Sequence, residues 1–502
     1  MPDADALPLV EAQLRRFLRR EVDAGSLEAG GRISDAMLAK VAELGLFGLS
    51  IPERWGGLEL GLAGCCSVVT QLARSDRSLA TTVGLHNGLG VRPLIDRGGD
   101  ALRARWLPRL AAGEVIASFA ATEAGAGSDL TRAATLATLD GDHVVVEGEK
   151  HFVTNGGFAG LFTILARTPD RGGARGQALV LVPRDTPGVT VGPEEHKLGL
   201  RASSTVTVRF DGVRVPADHV LGEPGAGASD ALAALEWGRT LMAAGCVGTA
   251  VAATDAALEH VRTRRQFGRP LLSFPSVRQH VAAMLRESFA MQALVMAAGR
   301  AERRGDELSH LATAAKIVCS EGAFDLCDRA IQLHGGLGYL EGSGVARMLR
   351  DARVTRIFEG ANEVLLARLG TALYAAESSA ERRRLHEHDG PLAARFDDVD
   401  AHLEVALIRA REIHGLAGVR AQTLLQAFAR ADIALAAASA CLASRSPERA
   451  LAHQAAEDQL DRAERWIVAA AGAPERSARD ALLVEPWVER RLDASPSSEV
   501  RA

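Results

Sequence analysis

The chain has 502 residues, 47% of them hydrophobic, and sets 58 Lys and Arg against 63 Asp and Glu for a formal net charge of -5. That length allows two to four domains with sizeable cores, and the slightly acidic balance argues against a nucleic-acid surface. The cysteines at 65, 66, 246, 319, 327 and 441 form no CxxC pair and have no histidine at zinc-ligand spacing, so they read as reduced thiols and no metal is expected.

At the start of the chain, Asp3, Asp5 and Glu11 lie among apolar residues, and LRRFLRR (14 to 20) is followed by more acids, a pattern unlike a signal or transit peptide. No uninterrupted run of about 18 apolar residues occurs, so no spanning helix is expected and the expected location is the cytoplasm. From about residue 8 the apolar positions recur at helical spacing, which predicts a helical domain over 1–115, interrupted by PERWGGLELG (52 to 61). Over 116–228 the runs HVVVEG, LFTILAR, ALVLVP, VTVRF and VRVP predict a small β-domain with turns at Asp140-Gly141, at RGG from 171 and at Asp211-Gly212. Helical periodicity returns over 229–375, clearest in AAKIVCSEGAFDLCDRAIQL (314 to 333), and predicts a helical bundle. The remaining 376–502 opens on the charged ESSAERRRLHEHDGP and continues into alanine-rich helices, with the last ten residues expected to be disordered. The expected fold class is therefore α+β and mostly α: an N-terminal helical domain, a central small β-domain, a four-helix-type bundle and an extra C-terminal helical domain.

Two segments carry chemistry in their own residues. RIFEGANEV (356 to 364) sets Glu359 between Phe358 and Gly360, where a carboxylate can be desolvated, its pKa raised, and the backbone approached closely by a ligand. ATEAGAGSDL (121 to 130) puts small residues where bare backbone can lie against a flat ring or phosphate oxygens. HGGLGY (334 to 339) follows a helical pattern instead of a strand, so a dinucleotide-binding Rossmann reading fails.

With HFVTNGG (151 to 157), KLGLRASST (197 to 205), RRQFG (264 to 268), QLHGGLGY (332 to 339) and RDARVTRIFEG (350 to 360), these segments, in this order, resemble the acyl-CoA dehydrogenase family over roughly residues 30 to 370. The C-terminal extension is similar to that of the very-long-chain members. The resemblance implies FAD lying between the β-domain and the second helical domain, an acyl-CoA substrate dehydrogenated to the trans-2-enoyl thioester, Glu359 as the α-proton base, hydride transfer to FAD N5, and electrons leaving to an electron-transfer flavoprotein. A hydride acceptor is required in any case, because no side chain accepts a hydride.

Residue by residue, the resemblance sets Thr122 at the flavin pyrimidine edge, Gly127 and Ser128 at the pyrophosphate and the CoA arm, Thr154 at flavin N5, and Phe152 where a Trp is usual. Arg264, Gln266 and Phe267 match positions that reach the FAD of a neighbouring subunit, and Gln332, Gly335 and Gly336 match the loop for that neighbour's adenosine phosphates, so a homo-oligomer, a dimer above all, is implied. Glu236 stands as a substrate-binding or structural carboxylate, and Arg239 as a residue that orients Glu359 or as a surface ion pair. Gly238 occupies a position where some relatives carry the base. His334 reads as a solvated or capping histidine. Ala361 replaces a threonine directed at the flavin ribose, which lowers the expected FAD affinity. Gly84, Gly88 and Gly90 in TTVGLHNGLG either make room for a long acyl chain or permit close helix packing. The competing functions are a flavin monooxygenase or oxidase on the same fold, disfavoured by the retained glutamate, and an assembly or scaffold role. The alanine-rich helix LLQAFARADIALAAASACLAS (424 to 444) has no Lys or Arg cluster, so the extension is expected to serve assembly, with membrane association absent or peripheral.

Overall fold

A computed structural model describes residues 3–169, 176–223, 225–376, 390–414, 422–444 and 446–471. The expected RGG turn at 171, most of the charged stretch from Glu377 and the expected disorder of the last ten residues lie outside them. The chain divides into two compact units, Met1–Ala361 and Asn362–Ala502.

The first unit opens with helices α1 (Asp3–Glu21), α2 (Ala24–Gly30), α3 (Asp35–Glu43), α4 (Leu62–Ser75) and α5 (Arg77–Leu85). Three of these starts are fixed by side-chain caps: Asp23 accepts from Gly25 N–H, Ser34 from Met37 N–H and Asp76 from Leu79 N–H. After α5 the chain widens into a π-helical turn, His86–Gly90, then continues through α6 (Arg92–Arg97) and α7 (Asp100–Ala111).

The β-layer contains β1 (Ile116–Ala120), β2 (Leu136–Asp140), β3 (His143–Thr154), β4 (Ala159–Arg167), β5 (Gln177–Pro183), β6 (Val189–Glu194), β7 (Thr205–Pro216) and β8 (Val220–Leu221). They run in the order β6-β7-β3-β2-β4-β5-β8, with β1 parallel to β4. The turn at Asp140-Gly141 joins β2 to β3 as expected, but Asp211-Gly212 is not a turn. VTVRF and VRVP are one strand, β7, and Gly212 at φ 61° hosts a bulge where the pairing with β3 slips between Val146 and Gly148. Val146, Phe162, Val180, Val208 and Phe210 form the interior of this layer. A separate core joins Trp106 and Leu107 of α7 to Leu161, Leu181 and Ala231, so the helical and β parts share buried surface.

Three long helices complete the unit: α8 (Gly227–Thr263), α9 (Pro275–Arg304) and α10 (Ser309–His334). A short hairpin, β9 (Arg265–Gln266) with β10 (Arg269–Pro270), links α8 to α9, and α11 (Gly336–Tyr339) and α12 (Val345–Arg353) lead to Glu359. The expectation that no segment is apolar enough to span a membrane is corrected here: α8, α9 and the helix Gln422–Leu442 are long and apolar enough by length and composition. The scattered polar residues that break their apolar runs do not lower the average enough, and more than half of each apolar window is buried inside the protein.

The second unit consists of α13 (Asn362–Ala375), α14 (Pro391–His414), α15 (Gln422–Leu442) and α16 (Arg449–Ala471). It begins earlier than the composition change at 376, because α13 packs with the extension. Gly370 lies so close to Leu425 that a Cβ would sit 2.0 Å from its carbonyl oxygen, and Tyr374 donates its hydroxyl to the Ala410 carbonyl at 3.0 Å. Phe396, Leu403, Leu407, Phe428, Leu435 and Leu460 fill the centre. All six cysteines are buried thiols outside any disulfide.

Candidate active site

Glu359 ends the turn after α12 in the left-handed region, φ 55°, and Gly360 follows at φ 100°. A non-glycine residue there is strained, and the surroundings hold it in place. Arg239, buried on α8, donates Nε–H to the Glu359 carbonyl at 3.1 Å, so it holds the backbone of the turn and is not the surface ion pair considered above. The Glu359 side chain turns inward: its Oε2 is buried and makes no hydrogen bond. Burial raises its pKa to about 7, against the pull of the nearby Arg239, Lys316 and Arg77 cations. A Cβ at Gly238 would sit 3.2 Å from that Oε2, so position 238 and position 359 address the same point. Glu236 is on α8 too, half-buried, two residues before Gly238.

Of the glycines expected to border an acyl channel, Gly88 lies against this point. At Gly88 a Cβ would be 3.4 Å from the Gly238 Cα, and at Gly90 it would clash with Ala117 at 2.8 Å, so both are packing glycines. Gly84 differs, since a methyl there would make ordinary contact with Val69 at 3.7 Å.

Thr122, Phe152 and Thr154 are brought together because His151 N–H donates to the Thr122 carbonyl at 2.9 Å and Ser118 of β1 donates to the Thr154 carbonyl at 2.6 Å. Phe152 presents its ring outward, 66% exposed, on a left-handed φ of 55°. In the loop between β1 and β2, Gly127 and Ser128 are exposed, and Cβ atoms at Gly125 or Gly127 would meet nothing within 4 Å. This loop is pinned at its root by an ion pair that the sequence reading missed. Lys150, fully buried, donates to Glu123 at 2.7 Å and to the Ala121 carbonyl at 3.1 Å, while Glu123 also accepts from the backbone N–H of Thr135. Burial alone would raise the Glu123 pKa, but the Lys150 and Thr135 hydrogen bonds bring it down to about 2.

The remaining predicted residues gather at the other end of α8. Arg264, Gln266 and Phe267 lie on the exposed hairpin, with Phe267 91% exposed at φ 50°. Gln332, Gly335 and Gly336 lie exposed at the end of α10. The two groups adjoin because His260 and His334 stack at 4.4 Å, and His334 Nδ1 lies 2.7 Å from the Ala330 carbonyl, the local role expected of it. Thr263, at the end of α8, is about 37 Å from Gly238 by helical rise, so this cluster stands well apart from Glu359.

Backbone strain ties the motifs together. Among the described residues, the non-glycine positions with positive φ are Glu59, Phe152, Asn155, Leu200, Phe267 and Glu359, and all but Glu59 fall within the segments that carry the family resemblance. KLGLRASST docks onto the segment leading to Glu359: Leu200 N–H donates to Asp351 at 2.6 Å, and a Cβ at Gly199 would meet the Arg350 backbone at 2.4 Å. Asn155, also overlooked, is buried and donates to the Thr82 carbonyl of α5 at 2.9 Å, fixing the turn after Thr154. Lys316 and Arg77 were overlooked as well. Lys316 is one charged residue in an apolar helical pattern and Arg77 follows Arg74 and Asp76, so in sequence both look the same as exposed charges.

Models of the N-terminal, middle and C-terminal domains of acyl-CoA dehydrogenase match residues 6–114, 118–213 and 225–374. The chain belongs to the acyl-CoA dehydrogenase family, and it is an oxidoreductase of that family. It is 37% identical over 368 residues to the probable acyl-CoA dehydrogenase FadE25 of Mycobacterium tuberculosis, covering 72% of this chain and 94% of that protein. It is 31% identical over 521 residues to the human mitochondrial very long-chain specific acyl-CoA dehydrogenase, covering 94% of this chain and 79% of that protein, so the likeness reaches into the C-terminal unit. Among solved structures, the Bacillus anthracis acyl-CoA dehydrogenase complexed with FAD is similar with a TM-score of 0.83 at 26% identity, over 93% of this chain and 88% of that one.

Proposed function

We propose that the protein is an FAD-dependent acyl-CoA dehydrogenase in which Glu359 removes the α-proton of a long-chain acyl thioester. The observation that carries this reading is the buried Glu359 Oε2, which has no hydrogen-bond partner and faces the position where a side chain at 238 would begin. A carboxyl with a pKa of about 7 is half ionised at neutral pH and is a stronger base than a solvated carboxylate. Arg239 fixes the turn, and the missing side chain at Gly238 leaves the carboxyl approachable. The exposed Phe152 ring, the bare backbone at Gly125 and Gly127, and the Thr122 and Thr154 positions fit a flat ring with attached phosphates, with Ser128 and Glu236 on the substrate side. Bound FAD would supply the two-electron acceptor that no side chain provides. By family, the electrons would pass on to an electron-transfer flavoprotein.

Arg264, Gln266, Phe267, Gln332, Gly335 and Gly336 stand too far from Glu359 to hold the same flavin, and this supports a homodimer in which each cluster completes the partner's cofactor site. A long acyl chain is supported by the likeness to the human very long-chain enzyme and by the C-terminal unit, whereas Gly84, Gly88 and Gly90, each in packing contact, do not argue for it. The alanine-rich C-terminal unit suits assembly better than a membrane surface, and the location proposed is the cytoplasm. Anaerobic bleaching of the flavin by a graded series of acyl-CoA thioesters tests the reading. Bleaching should be strongest with long chains, and rapid peroxide formation in air would instead indicate an oxidase.

A further inference from the structure

Arg77, the first residue of α5, is 5% exposed and inside the first unit. Its guanidinium fills the groove that Gly245 leaves on α8, where a Cβ would sit 1.3 Å from Nη1. Nη2 donates to the Met242 carbonyl at 3.1 Å and lies 3.6 Å from the Cys246 sulfur, while Nε is buried without a partner. Among the described residues no carboxylate pairs with it. Its neighbour Asp76 caps α5 and pairs with Arg347 at 3.2 Å. A buried guanidinium without a counter-ion is costly, and a structural role alone is filled better by an apolar side chain.

We propose that Arg77 is a positioning residue for the reaction, a fixed cation seated against Gly245 that keeps the Glu359 carboxyl ionised when substrate closes the site to water. This rests on Glu359 being the base. Arg77 and Glu359 meet the same face of α8, because Gly238, beside Glu359 Oε2, lies one helical turn before Met242 and two before Gly245, where the guanidinium is seated. Of the other charged and titratable groups, from α8 come Arg239, which holds the turn through the Glu359 carbonyl, and Cys246, whose thiol burial keeps neutral. Glu236 lies one turn before Thr240, which donates to its carbonyl. From α10 comes Lys316, which burial pulls down to about 8 against the opposing charges of Glu359 and Glu321, so that its charge, unlike that of an arginine, can be lost. The π-helical turn contributes His86, held neutral by burial, with Nδ1 accepting from Ala117 N–H. The turn before Glu359 contributes Arg356, whose guanidinium lies over the Phe324 ring. Arg77 and Arg239 cannot deprotonate, and only Arg77 can lose its charge without releasing the backbone of the base. The low dielectric of a closed site strengthens such an interaction.

The test uses the full-length holoenzyme as wild type, R77Q and R77K, with E359Q as reference. The carboxyl stretch of Glu359 is followed by infrared difference titration, the band being assigned by its loss in E359Q, and kcat/KM is measured across the same pH range. R77Q keeps N–H groups for the Met242 carbonyl but drops the charge. Its Glu359 midpoint should rise by about half to one pH unit. The acid limb of kcat/KM should move with it, and R77K should stay near wild type. An unmoved infrared midpoint in R77Q overturns the proposal, as does an R77K midpoint raised as far as that of R77Q. If the midpoint moves while the kcat/KM limb stays, Arg77 does govern the Glu359 charge, and it is the reading of Glu359 as the base that fails. Should R77Q not fold, R77M is titrated in its place against the same two criteria.

Discussion

At the Gly238 end of α8, Glu359, Arg239, Lys316 and Arg77 are drawn into protein, with strained backbone, close glycine contacts and a carboxyl oxygen shut away from water. At the Thr263 end of the same helix, Arg264, Phe267, Gln332 and Gly335 stand in solvent on a two-stranded hairpin and a helix terminus, although they too carry a strained residue. The difference is one of completeness. The first end has its charges arranged by one chain. The second offers a guanidinium, an amide and an aromatic ring that is 91% exposed and touches Phe274 edge-on, as expected of a surface completed by another copy and its cofactor.

Changes at the enclosed end should act on chemistry, and the largest is Glu359→Gln. The amide is close in shape and cannot accept the α-proton, so turnover should fall by about 10²- to 10⁴-fold while bound flavin and the melting temperature stay near wild type. Rapid-reaction flavin reduction measures this, and near-normal reduction would move the base to Glu236. At the root of the flavin-facing loop, Lys150→Met leaves Glu123 buried and unpaired and should cost about 3–5 kcal/mol in urea unfolding. In the wild type the stabilisation that Glu123 gains from its depressed pKa is full above its unfolded value near 4.5 and is lost as pH falls through about 2. At the open end, Arg264→Ala should leave unfolding of the isolated chain unchanged and weaken flavin retention by about ten- to a hundredfold, because a charge-assisted contact is lost. Flavin stoichiometry after gel filtration reads this effect, and wild-type retention would sever the hairpin from the cofactor. The gentlest effect is that of pH. With Glu359 raised to about 7 by burial, kcat/KM should climb as pH rises through that value and level above it, whereas a limb near 4.5 would mean a solvated carboxyl.

The order of helices and strands was legible from apolar spacing, and so was Glu359, because a carboxylate between Phe358 and Gly360 in an apolar stretch stands out without any structure. The bulge at Gly212 was not legible. Aspartate followed by glycine signals a turn equally well when the strand continues past it, and only pairing with β3 decides between the two. Compactness divides the chain before α13, whereas composition changes at 376, because α13 joins the extension through Gly370 and Tyr374, whose partners lie far along the chain.

What the sequence determined by itself is local: caps, periodicity, the motif residues, and the glycines that bare the backbone at 125 and 127. What only the tertiary structure decided is which charges are taken out of water and which of them meet. Arg77, Lys150 and Lys316 look in sequence like any solvated cation. Their burial follows from long-range packing, Gly245 against α5, Glu123 beneath its loop and α10 against α8, and burial is what turns an ordinary charge into one that can hold a loop or set the ionisation of a base.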